Sequence, residues 1–352
     1  MRCVGSQRVV IVGPEANAAW AQDRPRLDYA MVAEKLAAEI LAWAASPAAL
    51  RGSYPVRVAR SFAPNLAHAR RLLLQPTMPA LVYTTGETWG LPVAVAAALG
   101  ESAAVHVMYC HRVYSDRWLR ALGTLRSRLR VDGWICVTNH QAGLLHAALG
   151  PDARIATVSQ GVDTLFWDPA RAQPQRGSPY VLSVGSEMRD YRLLFAAVRD
   201  LDVEVVVKAS SAWMRVGRDA LGPIPQNVRL VTERLSYAAM RDLYAGASVV
   251  TIPLVDTPQA AGITAILEAM SMGKPVVVTD SRGLPDLVRD GAGIVVPNAS
   301  PRLLAEAIRS AIHDGGGAAR TGTELRQRAV ACNLEAHAAG VVAFITQVME
   351  NA

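Results

Sequence analysis

The sequence predicts an α/β protein made of two doubly wound, Rossmann-like domains in tandem, on three observations. Strand-like and helix-like runs alternate from end to end, which is typical of a parallel sheet covered by helices on both faces. A polar, proline-rich stretch at 166–179 interrupts this alternation. The 352 residues also exceed the ~100–200 residues of a typical domain. We therefore expect a first domain at 1–165, a linker at 166–179 and a second domain at 180–332.

The first domain is predicted from short apolar runs, because strands buried on both faces read as continuous apolar segments. The predicted strands are Arg8–Gly13, Val56–Arg60, Ala80–Thr84, Ala104–Cys110, Gly133–Thr138 and Arg154–Val158. Apolar residues at helical spacing predict helices over Tyr29–Ala45 and Trp89–Leu99.

The second domain repeats the same pattern. Its predicted strands are Tyr180–Gly185, Val203–Lys208, Val228–Val231, Ser248–Ile252, Pro275–Thr279 and Gly293–Val296. Its predicted helices are Arg192–Arg199, Tyr237–Tyr244, Ile263–Met272 and Pro301–His313. A last helix within 333–352 is expected to return to the first domain. Such sheets bind ligands at the carboxyl ends of their strands, so we expect the site in a cleft between the domains.

Composition excludes several classes of protein. No apolar stretch reaches the ~18–20 residues of a membrane span. The apolar run near the N-terminus, Val9–Val12, is too short and wrongly flanked for a signal peptide, which predicts the cytoplasm. Four scattered cysteines without a CxxC pair predict neither a zinc site nor a disulfide framework. The net charge of +6 suits anionic ligands, but the dispersed basic residues carry no nucleic-acid motif.

The segment Asp256–Thr264 follows a predicted strand and opens a predicted helix. Free backbone N–H groups and the positive end of the helix dipole meet there, so an anion such as a diphosphate can be held. Gly262 lets the backbone approach that anion closely, and the carboxylate of Glu268 on the same helix can accept both hydroxyls of a ribose. On these residues alone, a glycine helix start with a surface glutamate explains the segment equally well.

Several motifs in this part of the chain resemble the donor-domain signature of family 4 glycosyltransferases. They are Gly262–Thr279, Gly283–Val288, Gly293–Pro297 and, before the linker, Gly161–Asp163 with Phe166 and Pro169. The resemblance covers most of residues 80–315, in family order and spacing. It implies the GT-B fold, in which two Rossmann-like domains face a central cleft, and a retaining transferase that takes a nucleotide-sugar donor.

The family marks its donor site with two glutamates separated by seven residues. Glu268 matches the second, which the resemblance places on the nucleotide ribose. The first falls at Ala260, which has no carboxylate, so the chain departs from the pattern where the transferred sugar is commonly met. Similar members carry a Gln-x-x-Gly-x-Thr form, which implies a role for Gln259 or for backbone amides. Those amides belong to Gly262, Ile263 and Thr264.

The family usually offers an arginine and a lysine to the diphosphate after the first strand of the donor domain. Here Gly185 ends that strand, Ser186 stands at the usual arginine position, and Arg189 is the best substitute cation. The alternative is a solvated arginine paired with Asp190. Lys208, at the end of the next strand, is a weaker candidate, since an isolated lysine there is more often merely exposed.

In the first domain, His111 ends a strand that faces the predicted cleft, and the resemblance implies a histidine near the transferred sugar. The alternative is a strand-end histidine whose hydrogen bonds are satisfied within the fold. Glu87 follows the preceding strand and is a candidate for orienting the acceptor hydroxyl. The segment Gly13–Trp20 replaces the glycine-rich loop of the family. We therefore place acceptor contacts at Gly13 and Trp20.

The segment Arg112–Arg130 predicts a basic amphipathic helix. Such a helix can lie on an anionic membrane surface, which predicts peripheral contact at the inner face of the membrane. The alternative is a solvated face over a core stripe.

The resemblance implies transfer of a sugar from a nucleoside diphosphate sugar to an acceptor hydroxyl, with no metal and no cofactor. Two alternatives keep the fold: a protein that binds nucleotide or sugar without turnover, motivated by Ala260, and a nucleotide-sugar epimerase. A dehydrogenase is excluded because no G-x-G-x-x-G follows Gly13 or Gly185. UDP, GDP and ADP all remain open as the donor nucleotide, and a lipid, an inositol phosphate or an aminocyclitol all remain open as the acceptor.

Overall fold

The computed structural model describes residues 8–14, 23–43, 54–100, 102–112, 115–173, 179–209, 221–313 and 322–352. They form two units. The first consists mainly of Arg26–Ser159 with Glu335–Ala352, and the second mainly of Gln160–Leu334. The chain thus changes unit ahead of the predicted linker. Phe166 and Trp167, inside that predicted linker, are buried and pack on Tyr237 and Tyr244 of the second unit.

The first unit is a six-stranded parallel sheet with strand order β2-β1-β3-β4-β5-β6. Its strands are β1 (Val9–Gly13), β2 (Glu39–Ala42), β3 (Leu81–Thr84), β4 (Val105–Cys110), β5 (Gly133–Cys136) and β6 (Ile155–Thr157). Its helices are α1 (Asp28–Leu36), α2 (Tyr54–Leu73), α3 (Glu87–Leu99), α4 (Asp116–Leu125) and α5 (Asn139–Leu149). The predicted basic helix is therefore α4, followed by a 3-10 turn at Arg126–Arg128.

Two predictions for the first unit were wrong. The predicted strand Val56–Arg60 lies within α2, because helical packing of α2 through buried Ala69, Leu72 and Leu73 overrides the local preference of a short run of valines for a strand. The predicted helix Tyr29–Ala45 ends at Leu36. Ala37 adopts a left-handed conformation with φ of 50°, which terminates the helix and allows the next residues to pair with β1 as β2.

The second unit is also a six-stranded parallel sheet, with strand order β12-β11-β10-β7-β8-β9. Its strands are β7 (Tyr180–Val184), β8 (Glu204–Lys208), β9 (Val228–Leu230), β10 (Ala247–Ile252), β11 (Val276–Thr279) and β12 (Ile294–Val296). Its helices are α6 (Tyr191–Val198), α7 (Tyr237–Gly246), α8 (Ile263–Ser271), α9 (Pro301–His313) and α10 (Gly322–Ala331). Of these, α10 was not predicted.

The last helix, α11 (Leu334–Glu350), contributes to the first unit. Phe344 and Val348 lie against Gly133 of β5. The ring nitrogen Nδ1 of His337 donates to the carbonyl of Ser159 at 2.8 Å. Among the described residues, no helix combines the length and apolar character needed to span a membrane.

The strand order of each sheet reverses beside its first strand. The reversal lies between β1 and β3 in the first unit and between β7 and β10 in the second. Ligands of open parallel sheets bind at the carboxyl ends of the strands at such a point. The segments that follow these four strands are therefore where each unit is expected to carry its chemistry.

Candidate functional site

The turn after β7 is formed by Gly185, whose φ is 97°, a left-handed conformation that favours glycine. The N–H of Gly185 donates to the carbonyl of Lys208 at 3.0 Å. The chain then crosses to the end of β10, where Arg189 forms a β-bridge with Leu254. Asp190 caps α6, because its Oδ1 accepts from the N–H of Leu193 at 2.9 Å.

Arg189 lies at the reversal point, half-buried. Its Nε donates to the carbonyl of Val184 at 3.0 Å and its Nη1 to that of Glu187 at 2.7 Å. Burial lowers the pKa of Arg189 from its ordinary value, yet guanidinium remains a cation at neutral pH. The carboxylate of Asp190 is instead engaged in capping α6.

The guanidinium of Arg189 also reaches the start of α8. Its Nη1 lies 3.6 Å from where a Cβ on Gly262 would stand. Gly262 has a φ of 82° and precedes the first turn of α8, whose leading N–H groups have no partner within the helix. Ile263 is buried, whereas Thr264 is exposed and its Oγ1 accepts from Gln160 at 3.0 Å. A fixed cation and a helix N-terminus therefore meet at one point.

Gln259 lies just before that helix and is 4% exposed. Its N–H donates to Oγ1 of Thr257 at 3.2 Å, which fixes the backbone. Its side-chain Oε1 is buried without a hydrogen-bond partner among the described residues. A buried acceptor of this kind costs free energy unless a donor reaches it. This oxygen is therefore suited to accept a hydrogen bond from a ligand hydroxyl. Gln259 directly precedes Ala260, where the family pattern has its first glutamate.

Glu268 is half-buried on α8, and its Oε2 accepts a hydrogen bond from the hydroxyl of Tyr244 at 2.8 Å. Burial raises the pKa of Glu268 to about 7, and the hydrogen bond from Tyr244 opposes that rise. Tyr244 was not predicted as a site residue, because an aromatic residue in the predicted helix Tyr237–Tyr244 is typical of a core position.

Lys208 is buried, with 6% of its surface exposed. Its Nζ donates to the carbonyls of Val231 and Glu233, so the ammonium supports the segment after β9. This is not the exposed lysine of the alternative interpretation, and contact with a phosphate stays a prediction.

In the first unit, His111 follows β4, and its Nε2 lies 3.1 Å from the carbonyl of Thr85. A carbonyl only accepts, so Nε2 carries a proton and Nδ1 remains for another partner. The ring packs 4.8 Å from that of Tyr109, and the His111 carbonyl accepts from Gln141 at 3.1 Å. The ring is thus held in one orientation at the carboxyl end of the sheet.

Glu87 opens α3 and is 4% exposed. Its Oε1 accepts from the N–H of Arg112 at 2.6 Å, so this carboxylate fixes the turn after β4. The carbonyl of Gly13 accepts from Trp43 at 3.2 Å. The predicted acceptor residue Trp20 lies outside the described residues. The described part of the chain holds no group of three or more His, Cys, Asp or Glu residues placed to bind a metal ion.

Residues 187–314 match the model of the family described as "Glycosyl transferases group 1". The α-maltose-1-phosphate synthase of Mycolicibacterium smegmatis is 29% identical over 218 residues, which is 53% of this chain and 54% of that protein. The chain thus matches about half the length of this curated relative.

Two solved structures show the same fold. The α,α-trehalose 6-phosphate synthase of Burkholderia multivorans has a TM-score of 0.76 at 13% identity, covering 98% of this chain and 99% of its own. The Anabaena protein HepE, solved in complex with UDP and glucose, has a TM-score of 0.60 at 17% identity, with coverage of 98% and 99%. The chain contains two parallel Rossmann-like sheets and is similar in fold to these neighbours over nearly its whole length. It therefore has the GT-B fold.

Proposed function

We propose that this chain transfers a sugar from a nucleoside diphosphate sugar to an acceptor hydroxyl. The GT-B fold and the match of residues 187–314 to the group 1 glycosyltransferase model support this proposal. The observation that carries the proposal is the meeting of Arg189 with the N-terminus of α8 at Gly262. A guanidinium and free backbone N–H groups together suit a diphosphate.

In the proposed reaction, the bond between the sugar C1 and the diphosphate oxygen breaks, and a bond forms between C1 and the acceptor oxygen. Arg189 and the amides of α8 neutralise the charge that develops on the leaving diphosphate. Donors aimed at developing charge are commonly worth about 10²–10³ in rate. This electrostatic role supports a reaction without a metal ion.

We further propose that the anomeric configuration is retained. The leaving phosphate oxygen takes the proton of the acceptor hydroxyl on the same face of the sugar, so no protein base is required there. His111 is placed near the transferred sugar in this proposal. Gln259 accepts from a sugar hydroxyl through its Oε1, which has no partner among the residues that the structure describes. Glu268 accepts from the ribose hydroxyls.

Sugar phosphates are the first acceptors to test. The relative from Mycolicibacterium smegmatis is named as a synthase of maltose 1-phosphate, and the Burkholderia multivorans neighbour as a synthase of trehalose 6-phosphate. An inositol phosphate, an aminocyclitol and a lipid complete the acceptor panel.

The direct test incubates the purified chain with UDP-, GDP- and ADP-linked sugars and this acceptor panel, in the presence of EDTA. We expect one donor and acceptor pair to give a glycoside whose anomeric coupling constant matches that of the donor. An inverted product contradicts retention, and activity only after addition of a divalent cation contradicts the metal-free reaction.

A second candidate is a GT-B protein that binds nucleotide or sugar without turnover, and the missing carboxylate at Ala260 favours it. A nucleotide-sugar epimerase is the other activity compatible with the fold. Calorimetry would support the binder if a nucleotide binds tightly while the whole panel yields neither transfer nor hydrolysis. Conversion of a donor into its epimer without any acceptor would support the epimerase.

We place the protein in the cytoplasm, with peripheral membrane contact through the basic surface of α4 and the turn that follows it. The exposed arginines of this surface are Arg117, Arg120, Arg126 and Arg128. Such a surface attracts anionic lipid through charge rather than insertion. Co-sedimentation with liposomes that increases with phosphatidylserine content supports this contact, and binding independent of anionic lipid contradicts it.

A further inference from the structure

The hydroxyl of Tyr244 donates a hydrogen bond to the carboxylate of Glu268. The side chain is fully buried, and its hydroxyl donates to Oε2 of Glu268 at 2.8 Å. A phenol has one hydrogen to donate, so the donor capacity of Tyr244 is committed to this carboxylate. A hydrogen bond to an ionised group in a buried position is among the stronger ones.

The ring of Tyr244 packs against the ring of Trp167. Their ring centroids are 5.5 Å apart and the rings are nearly perpendicular, at 85°. The carbonyl of Trp167 accepts from Oγ of Ser271 at 2.6 Å, and Ser271 is the last residue of α8. The helix that carries Glu268 therefore also anchors the residue that orients Tyr244.

Both members of this pair respond electrostatically to their surroundings. Arg189 and Tyr191 act electrostatically on Tyr244, while Glu268 responds to burial and to the hydrogen bond from Tyr244. Burial opposes ionisation of Glu268, and the phenol favours it. The hydrogen bond therefore helps keep the carboxylate charged as well as oriented.

We infer that Tyr244 is a positioning residue for the donor nucleotide, which holds Oε2 of Glu268 so that the carboxylate presents a fixed acceptor to the ribose hydroxyls. This inference rests on the proposed function, because it takes the ligand to be a ribonucleotide. Trp167 is the second layer of the same support.

The test replaces Tyr244 by Phe, which keeps the ring against Trp167 and removes only the hydroxyl. Tyr180→Phe is the matched control, because Tyr180 donates to the carbonyl of Leu243 at 2.6 Å in the same unit. Calorimetry with UDP, GDP and ADP, and with their 2′-deoxy counterparts, measures the affinity of each variant.

For the nucleotide that binds, we expect Tyr244→Phe to weaken ribonucleotide binding roughly tenfold. The affinity for the 2′-deoxy nucleotide falls less, so the ratio of ribonucleotide to 2′-deoxynucleotide affinity becomes smaller. Tyr180→Phe leaves that preference unchanged. An unchanged preference in Tyr244→Phe, or an equal loss in the control, overturns the inference.

A double-mutant cycle separates positioning from a general effect on the fold. In a Glu268→Ala background, Tyr244→Phe is expected to cause no further loss of nucleotide affinity. A full tenfold loss in that background shows that Tyr244 acts independently of Glu268, which overturns the inference.

A measurement without nucleotide keeps the two proposals distinguishable. Carboxyl-labelled glutamate is titrated by ¹³C NMR, with Glu268→Gln used to assign the signal. Loss of the hydroxyl in Tyr244→Phe is expected to raise the titration midpoint of Glu268, while Tyr180→Phe leaves it in place. If the unaltered protein binds no nucleotide, the proposed function fails, and so does the ribose role of Tyr244. An unmoved midpoint shows instead that Tyr244 does not hold Glu268.

Discussion

The two sheets carry different chemistry at the points where their strand order reverses. In the second unit, Arg189 lies beside the N-terminus of α8, and the buried Oε1 of Gln259 has no hydrogen-bond partner within the described part of the chain. In the first unit, Glu87 accepts from the backbone of Arg112, and His111 donates to the backbone of Thr85. The same topology thus positions the proposed anion site in one unit and a braced backbone in the other. Arg189 also donates to backbone carbonyls, so bonding to the backbone does not by itself distinguish the two units. The clearer difference is the buried Oε1 of Gln259, which has no hydrogen-bond partner among the described residues.

Loss of the Arg189 guanidinium is expected to have the largest effect on activity. We expect Arg189→Ala to lower kcat/KM about 10²–10³-fold, because the leaving diphosphate loses a fixed positive charge. The measurement is steady-state transfer from the best donor, with folding checked by thermal unfolding. Arg302→Ala is the control, since Arg302 forms an exposed pair with Glu306 on α9. Equal activity in the two variants would remove Arg189 from the site.

Substitution of Glu268 is expected to have a smaller effect, which depends on pH. The pKa of Glu268 is about 7, above the ordinary 4.5, so ionisation costs stability, increasingly from about pH 4.5 up to about pH 7. The cost is full above that and absent at low pH. Glu268→Gln is therefore expected to raise the free energy of unfolding by about 1–3 kcal/mol at pH 8, with the gain vanishing toward pH 4.5.

The same variant should bind nucleotide about ten- to a hundredfold more weakly. Nucleotide affinity of the unaltered protein is expected to fall as the pH drops below about 7, because the protonated carboxyl is a poorer acceptor. Denaturant unfolding and calorimetry at pH 5, 6.5 and 8 measure both effects. A variant that is less stable than the parent at pH 8, or that binds nucleotide as tightly, contradicts this assignment.

In the first unit, substitution of Glu87 should change stability rather than donor binding. We expect Glu87→Ala to cost about 2 kcal/mol of unfolding free energy, because the N–H of Arg112 loses its buried acceptor. Glu87→Gln keeps an oxygen in place and should cost less. Thermal unfolding measures the loss of stability, and the KM for the acceptor is measured in parallel. A stable Glu87→Gln that hydrolyses the donor but no longer glycosylates the acceptor would instead place Glu87 on the acceptor.

The sequence was most informative for the second unit. Gly262 and Glu268 stand on a helix that opens after a strand, as expected from local sequence alone. Arg189 was predicted as a substitute cation although it does not occupy the family position, because charge near a strand end is a local signal. Its contact with a phosphate stays a prediction. The two doubly wound sheets were predicted from the alternation of strands and helices, which reflects burial on both faces of each sheet. The GT-B fold was predicted from the resemblance to family 4 glycosyltransferases.

What the sequence missed depends on contacts between distant segments. Val56 and Val58 favour a strand locally, yet packing of the distant end of α2 makes the whole segment helical. Tyr244 is adjacent to Glu268 only because α7 and α8 pack on the same sheet. The engagement of Lys208 and Glu87 with backbone carbonyls and amides likewise has no local signature.

The contribution of α11 to the first unit bears on the order in which the chain folds. The second unit is largely one continuous segment, Gln160–Leu334, whereas the first needs Glu335–Ala352 to complete it. During synthesis, the surface of β5 around Gly133 stays without Phe344 and Val348 until the helix beyond the second unit has emerged. The later-synthesised unit can therefore finish folding first, and a nascent chain halted before α11 exposes apolar surface of the first unit to chaperones.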